Sequence, residues 1–312
     1  MNDATFTAGL RAIESDRSSG AAEIARRCLE IVATIALLDD SGSTAELLGK
    51  LNSKADLLAQ SRPSMAPVAN LLNVFRREIE KFRQLRPPEA RKKCAAIARQ
   101  TIAQSVKATE KTAKNAARLI GKNKTVFAHS FSSTVLQAFA FLKNKNLQVI
   151  ISESRPLCEG YSLATKLSQL KIPTTLITDA QTGLFVKKAD MVLVGADTIL
   201  QDFAVINKAG TYLAALAAYD NNIPLYVCSE KYKHIYVSDE IPELEAMNPE
   251  ELNAPDLPHV SIENIYFDIT PARLISGWIN EEEVVQVNFL SPDDLENQNA
   301  GYSSNASRTR KR

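Results

Sequence analysis

The hydrophobic periodicity of the chain changes once, near residue 120, and that change limits the fold more than any single motif does. From Ala21 to Leu38 the apolar positions Ile24, Ala25, Cys28, Leu29, Ile31, Val32, Ile35 and Ala36 recur at spacings of three and four. That is the stripe of an amphipathic helix, and it begins near Ser19-Gly20. A second helix is predicted from Ser43-Thr44, with Ser43 as the cap and Glu46 three residues on. It runs through Leu47, Leu48, Leu51, Ala55, Leu57 and Leu58 to a stop at Arg62-Pro63. Further helical stretches cover 66–82 and 88–120, where Ala, Lys, Arg and Gln dominate and no β-branched run appears. Residues 1–120 therefore read as a helical N-terminal domain.

Beyond Lys122 short apolar runs alternate with helical spacing. Runs at 125–128, 149–152, 174–178, 191–195 and 225–228 read as buried strands. The segments 132–142 and 161–170 have helical spacing and lengths suited to right-handed crossovers. The prediction is an α/β chain: the helical domain, then a Rossmann-like parallel-sheet domain over 121–290 with both faces covered. Sheets of this kind bind ligands beyond the carboxyl ends of their strands. The stretch 291–312 loses the apolar pattern, ends Arg308-Thr309-Arg310-Lys311-Arg312, and reads as a disordered basic tail.

Composition narrows the function classes. With 37 Lys and Arg against 36 Asp and Glu the net charge is +1, so no basic field advertises nucleic acid, the tail excepted. Cys28, Cys94, Cys158 and Cys228 show no CxxC spacing, and no secretory signal opens the sequence, which suits a reducing cytoplasm. No apolar run approaches the ~18 residues of a membrane span. His234 and His259 lack partners at metal-ligand spacing, so neither a metal site nor another cofactor is expected.

The residues that follow the strands carry the chemistry. His129-Ser130-Phe131-Ser132-Ser133 leads into a helix start, where hydroxyls and free N–H groups suit a phosphate, or where Ser132 or Ser133 merely caps the helix. Glu153-Ser154-Arg155-Pro156 places an arginine that either forks onto a phosphate or pairs with Glu153. Asp197 closes Gly195-Ala196-Asp197, with Asn207-Lys208-Ala209-Gly210-Thr211 ten residues on. A carboxylate there can move a proton while the ammonium and amide steady an oxyanion, or it can cap the next segment. Glu230-Lys231-Tyr232-Lys233-His234 offers either a phosphate-binding lysine or a solvated loop.

Taken in order, Glu153 to Pro156, Val194 to Asp197, Asn207 to Thr211, Glu230 to Lys233 and Phe267-Asp268-Ile269-Thr270-Pro271 resemble one family. It joins the regulatory subunits of eukaryotic initiation factor 2B, methylthioribose-1-phosphate isomerase and ribose-1,5-bisphosphate isomerase. The resemblance runs to about Val287 and implies a homodimer or larger homo-oligomer. It also implies a pocket for a phosphorylated ribose, with metal-free aldose–ketose isomerisation by a cysteine and an aspartate. On this chain the aspartate falls on Asp197, the Asn-Lys pair on Asn207 and Lys208, the later lysine on Lys233 and the arginine of an Arg-Pro segment on Arg62.

Two positions depart from the isomerases. Ser130 stands where they carry the cysteine, and a hydroxyl needs a base that a thiol of pKa ~8.5 does not. Ser19-Gly20-Ala21 replaces their Arg-Gly-Ala, so an arginine beside the phosphate is missing unless Arg17 supplies it, with Gly20 and Ala21 still at the ligand. The resemblance thus implies two readings. One is an isomerase with Asp197 as acid and base and Ser130 as a hydrogen-bond donor; the other is a non-catalytic subunit that binds a sugar phosphate or nucleotide and a translation-factor partner.

Overall fold

The computed structural model describes residues 2–235 and 243–286; the predicted tail at 291–312 lies outside them. Five helices come first: α1 (Asn2–Glu14), α2 (Ala21–Leu38), α3 (Thr44–Gln60), α4 (Ala66–Ile79) and α5 (Pro87–Ile120). The stripe read from the sequence of α2 is the face it buries, Ile24, Ala25, Cys28, Leu29, Val32, Ile35 and Ala36 among it. Ser43 caps α3 by accepting the Glu46 N–H at 3.2 Å. Prolines stand in the first turns of α4 and α5, where the missing N–H is no loss. Gly121, at φ 74°, ends α5 in a conformation that glycine adopts without penalty.

The helix α1 was not predicted. Its large apolar residues are only Phe6, Leu10 and Ile13; Phe6 and Ile13 are buried and Leu10 packs partly against the same core. Gly9 faces α2 closely: an added Cβ would lie 3.0 Å from Ile31 Cδ1, a tight contact with the end of that side chain.

The second part interleaves β1 (Thr125–Ala128), α6 (Ser133–Phe141), β2 (Gln148–Ser152), α7 (Glu159–Gln169), β3 (Thr174–Ile177), α8 (Thr182–Phe185), β4 (Met191–Val194), β5 (Thr198–Ile199), β6 (Val205–Lys208), α9 (Thr211–Asp220), β7 (Leu225–Cys228), β8 (Phe267–Thr270), β9 (Gly277–Ile279) and β10 (Val284–Gln286). The expected α/β class is what the structure shows: a seven-stranded sheet in the order β10-β9-β7-β4-β1-β2-β3, parallel throughout except for the antiparallel β10. The order runs one way from β1 and the other way from β4, which opens a crevice at their carboxyl ends.

A second, three-stranded antiparallel sheet, β5-β6-β8, was not anticipated. It seats the segment Asn207-Lys208 against Asp268 and Phe267. The two parts share packing. Leu200, Ala204, Ile206, Tyr266 and Phe267 from the small sheet and its hairpin lie in the same core as the N-terminal helices. The 34-residue helix α5 joins that core through Ala90, Cys94 and Ala98, and the main sheet's core through Ala113, Ala116 and Ile120.

The turn after β2 requires one glycine. A Cβ on Gly160 would fall 1.9 Å from the Ser152 carbonyl oxygen, which is backbone and cannot move aside cheaply. Gly160→Ala is expected to lose at least ~3 kcal/mol of stability, near the damaging end for point changes. Gly49 is exposed within α3 with nothing within 4 Å of its missing Cβ. Gly49→Ala is expected to gain about 0.5–1 kcal/mol through helix propensity. Thermal melts of the two variants beside wild type check both signs.

Candidate functional site

The crevice between β1 and β4 becomes a cleft once the helical part covers it. The carboxyl end of β1 supplies His129 and Ser130, the start of α6 supplies Ser132 and Ser133, the end of β4 supplies Gly195 to Asp197, and β6 supplies Asn207 and Lys208. From the other side come the α1–α2 loop with Gly20 and Ala21, Arg62 from the turn before α4, and Lys233 from the turn after β7. Eight of the nine residues picked out from the sequence, Gly20, Ala21, Arg62, Ser130, Asp197, Asn207, Lys208 and Lys233, therefore line one cavity.

Arg155 stands apart from them. The Asp179 carboxylate takes the backbone N–H groups of Ser154 and Arg155 at 2.8 and 2.7 Å and fixes the turn. The Arg155 side chain is exposed and donates to the Leu252 carbonyl at 3.0 Å, away from the cleft lining.

Backbone conformation shapes the floor. Ser130 has φ 61°, in the left-handed region that a non-glycine residue seldom occupies, and its N–H donates to Ser154 Oγ at 2.7 Å. His129 is buried with Nε2 2.9 Å from the Ala209 carbonyl and Nδ1 2.6 Å from Ser152 Oγ. A carbonyl only accepts, so Nε2 carries the proton and Nδ1 accepts from the Ser152 hydroxyl. Burial also pulls the imidazole below its ordinary pKa, so the ring is neutral. Gly195 lets β4 meet α6, since a Cβ there would stand 2.7 Å from Ser132 Oγ.

Two helix N-termini open on the cleft. The N-cap of α2 is Gly20, which has no side chain to cap with, so the first-turn N–H groups of Ala21 and Ala22 are uncapped. The start of α6 is partly capped, because Ser132 Oγ accepts the Val135 N–H at 3.3 Å. The cleft thus offers oriented donors and positive helix ends to an anion.

Each lining cation from the predicted set is already paired. Arg62 is buried and forks onto Glu245, with Nε 3.1 and 3.3 Å from the two carboxylate oxygens, and donates to the Asp16 carbonyl at 3.0 Å. Lys208 Nζ lies 2.6 Å from Glu159 Oε1 and 4.0 Å from the centroid of the Tyr266 ring. Lys233 Nζ lies 3.2 Å from Glu230 Oε2, and Glu230 also accepts from Thr134 Oγ1 at 2.8 Å. Burial alone would lower the Lys233 pKa, but Glu230, Tyr232 and Asp197 outweigh it and hold the ammonium above its usual range.

Asp197 is different. Its N–H pairs with the Ile206 carbonyl at 2.9 Å, and it precedes a strand rather than a helix, so capping is not its role. Among the described residues no hydrogen bond or ion pair reaches its carboxylate. Burial pushes its pKa up to about 6, against the pull of Lys233, Lys208 and Arg62. A carboxyl group poised near neutrality in a cleft suits proton transfer.

The sequence matches the model of the initiation factor 2 subunit family over residues 17–286. The chain belongs to that family. An eIF-2B subunit 2-like protein of Pyrococcus abyssi is 34% identical over 300 residues, spanning 92% of this chain and 97% of that protein. The ribose 1,5-bisphosphate isomerase of Methanocaldococcus jannaschii is 30% identical over 268 residues, spanning 84% and 85%. The crystal structure of the Pyrococcus horikoshii translation initiation factor eIF-2B superposes with a TM-score of 0.78 at 31% identity, over 91% of this chain and 97% of that one. The initiation factor 2 subunit family thus holds both translation-factor-like proteins and sugar-phosphate isomerases.

Several cleft residues of this family member were missed in the sequence. Glu159 sits beside Gly160 at the start of α7, where an acid reads as an ordinary first-turn residue. Tyr266 and Phe267 arrive at the start of β8, paired with β6 across some sixty residues of sequence; Phe267 opens a motif that carried the resemblance, but nothing local placed either residue in the cleft. Among the described residues there is no cluster of three or more His, Cys, Asp or Glu able to hold a metal, and no helix long and apolar enough to cross a membrane.

The raised Asp197 pKa has a stability consequence. The folded protein binds that proton more tightly than the unfolded chain does, so the contribution is full below the unfolded value of about 3.9. It is lost as pH rises through about 6. Asp197→Asn is therefore expected to be more stable than wild type by about 1–2 kcal/mol at pH 8, the full shift being discounted because the group faces the cleft. The advantage should shrink toward zero by pH 4, which melts across that range check.

Proposed function

We propose that the cleft binds a phosphorylated ribose and catalyses aldose–ketose isomerisation, with Asp197 as the acid and base. The observation that carries the reading is the unpaired Asp197 carboxylate, at about pKa 6, in a cavity where the other lining side-chain charges considered above are compensated. The uncapped start of α2 and the start of α6 take the phosphate. Asn207 and Lys208 polarise the sugar oxygens, and Lys233 steadies negative charge as it develops. The Ser130 hydroxyl, held over the β1 end by its left-handed backbone, donates a hydrogen bond in place of the thiol that the isomerases of this resemblance carry there. The isomerase relative, 30% identical over most of both chains, supports the substrate class.

A second reading has its own support. Ser130 lacks the acidity of a thiol, and the relative from Pyrococcus abyssi is named for a translation initiation factor subunit. On that reading the same cleft holds a sugar phosphate or nucleotide as a ligand, and the protein acts through a translation-factor partner. Homo-oligomeric assembly is compatible with both.

Purified protein given ribose 1,5-bisphosphate or methylthioribose 1-phosphate separates them. The isomerase reading expects ketose formation that falls at least ~100-fold in Asp197→Asn, the scale of a lost general acid–base group. Ser130→Cys is expected to raise turnover about tenfold or more, because a thiolate becomes accessible near neutrality. Wild-type turnover no greater than that of Asp197→Asn would overturn catalysis, and co-purification with a translation factor would then favour the second reading.

A further inference from the structure

Glu159 is a carboxylate in the wall of a cleft whose other features favour anions, and its geometry explains what it does there. Oε1 is 2.6 Å from Lys208 Nζ, whereas Oε2 is buried with no hydrogen-bond partner among the described residues. An orphaned carboxylate oxygen is costly in a folded protein and marks a position where a donor is expected. Lys208 is itself buried, and its ammonium lies against the Tyr266 ring at 4.0 Å, with Phe267 at 5.8 Å. The charge of Lys208 is therefore compensated on one side by Glu159 and partly by the ring face on another. A phosphate brought to this corner would meet the Glu159 carboxylate and a lysine already engaged.

Resting on the reading of the cleft as a sugar-phosphate site, we propose that the Lys208–Glu159 pair recognises a vicinal diol and not an anion. The pair has no net charge and offers one acceptor, Oε2, beside one ammonium. A vicinal diol complements it: one hydroxyl donates to Oε2 and the neighbouring oxygen accepts from Nζ. The phosphate is left to the uncapped start of α2 and the start of α6. Glu159 is then a specificity-determining residue that favours ribose over 2-deoxyribose, because a sugar without the second hydroxyl leaves the buried pair unsatisfied.

Titration calorimetry of the full-length protein with ribose 5-phosphate and 2-deoxyribose 5-phosphate tests this. Wild type is expected to bind the ribose compound roughly tenfold or more tightly, the value of one charge-assisted hydrogen bond. Glu159→Gln, which keeps the shape and removes the charge, is expected to bring the ratio to within about threefold and to tighten binding of inorganic phosphate, since Lys208 is then uncompensated. If Glu159→Gln does not fold, Lys208→Met removes the other half of the pair and should also erase the ratio. Equal affinity of wild type for the two sugars, or an unchanged ratio in the variant, would overturn the diol assignment alone. Binding of neither sugar by wild type would overturn the sugar-phosphate reading, and this inference with it.

Discussion

The cleft depends on one hydrogen bond that ties two sheets together. His129 stands at the end of β1 in the parallel sheet, and its Nε2–H reaches the Ala209 carbonyl just beyond β6 of the small sheet. The ring also lies against Gly210, where a Cβ would come within 2.7 Å of it and where φ is 106°. Asp268 completes the arrangement from β8 by accepting the N–H groups of Gly210 and Tyr212 at 2.7 and 3.0 Å, capping α9. The segment that follows Lys208 is thus held by an imidazole on one side and a carboxylate on another. Ser130, next to His129, and Lys208, next to Ala209, inherit fixed positions across the cavity. A charged imidazole would present a proton on Nδ1 to the Ser152 hydroxyl and forfeit its role as acceptor there, so burial of the ring keeps the latch in its neutral form.

The sequence revealed what depends on local pattern. The α2 stripe, the Ser43 cap and the five apolar runs that became parallel strands each carry a signal within a window of a few residues, and their order fixes the crevice at the β1 and β4 ends. That order set the residues after the strands near one crevice, but each of them kept a structural alternative, and it was the resemblance that gathered Arg62, Asp197, Asn207, Lys208 and Lys233 into one site. What stayed hidden depends on distant pairing. The small sheet joins β6 to β8 across some sixty residues, and Val205–Lys208 and Phe267–Thr270 are each broken by polar residues, so neither forms the continuous apolar run that marked the parallel strands. Arg155 shows the complementary limit. It follows a strand as a ligand-binding arginine would, but the Asp179 carboxylate sets its turn, and no spacing between 155 and 179 foretells that contact.

The electrostatics of the cleft are not the simple convergence of cations that the sequence suggested. Arg62, Lys208 and Lys233 do line one cavity, yet each has its own carboxylate, Glu245, Glu159 and Glu230, within bonding distance. Burying three cations without those partners would carry a large desolvation penalty. Pairing makes burial tolerable, and on the proposed reading the pairs orient a ligand by hydrogen bonds while the helix ends supply the attraction for an anion. The same arrangement explains why Asp197 is distinctive. Three cations pull its pKa down, but the loss of water, with Glu245 adding to it, leaves it raised.

Binding and chemistry separate cleanly in such a site. On the proposed reading the groups that hold a ligand are backbone donors, helix ends and compensated pairs, and none of them is the side chain at 130. The chemical step asks for more, namely two groups that can exchange protons near neutrality. Asp197 meets that requirement by burial. Ser130 cannot meet it by burial, because removing water disfavours the alkoxide as it disfavours any anion, and the oriented donors around it can lower that barrier only in part. On that reading a single atom, oxygen for sulfur on a side chain held at φ 61°, sets how far the cavity goes beyond binding. This also makes physical sense of a family in which isomerases and translation-factor-like proteins share one architecture. On the proposed reading the ligand site survives the exchange of that atom, and what a bound ligand then does depends on whether a second proton carrier remains.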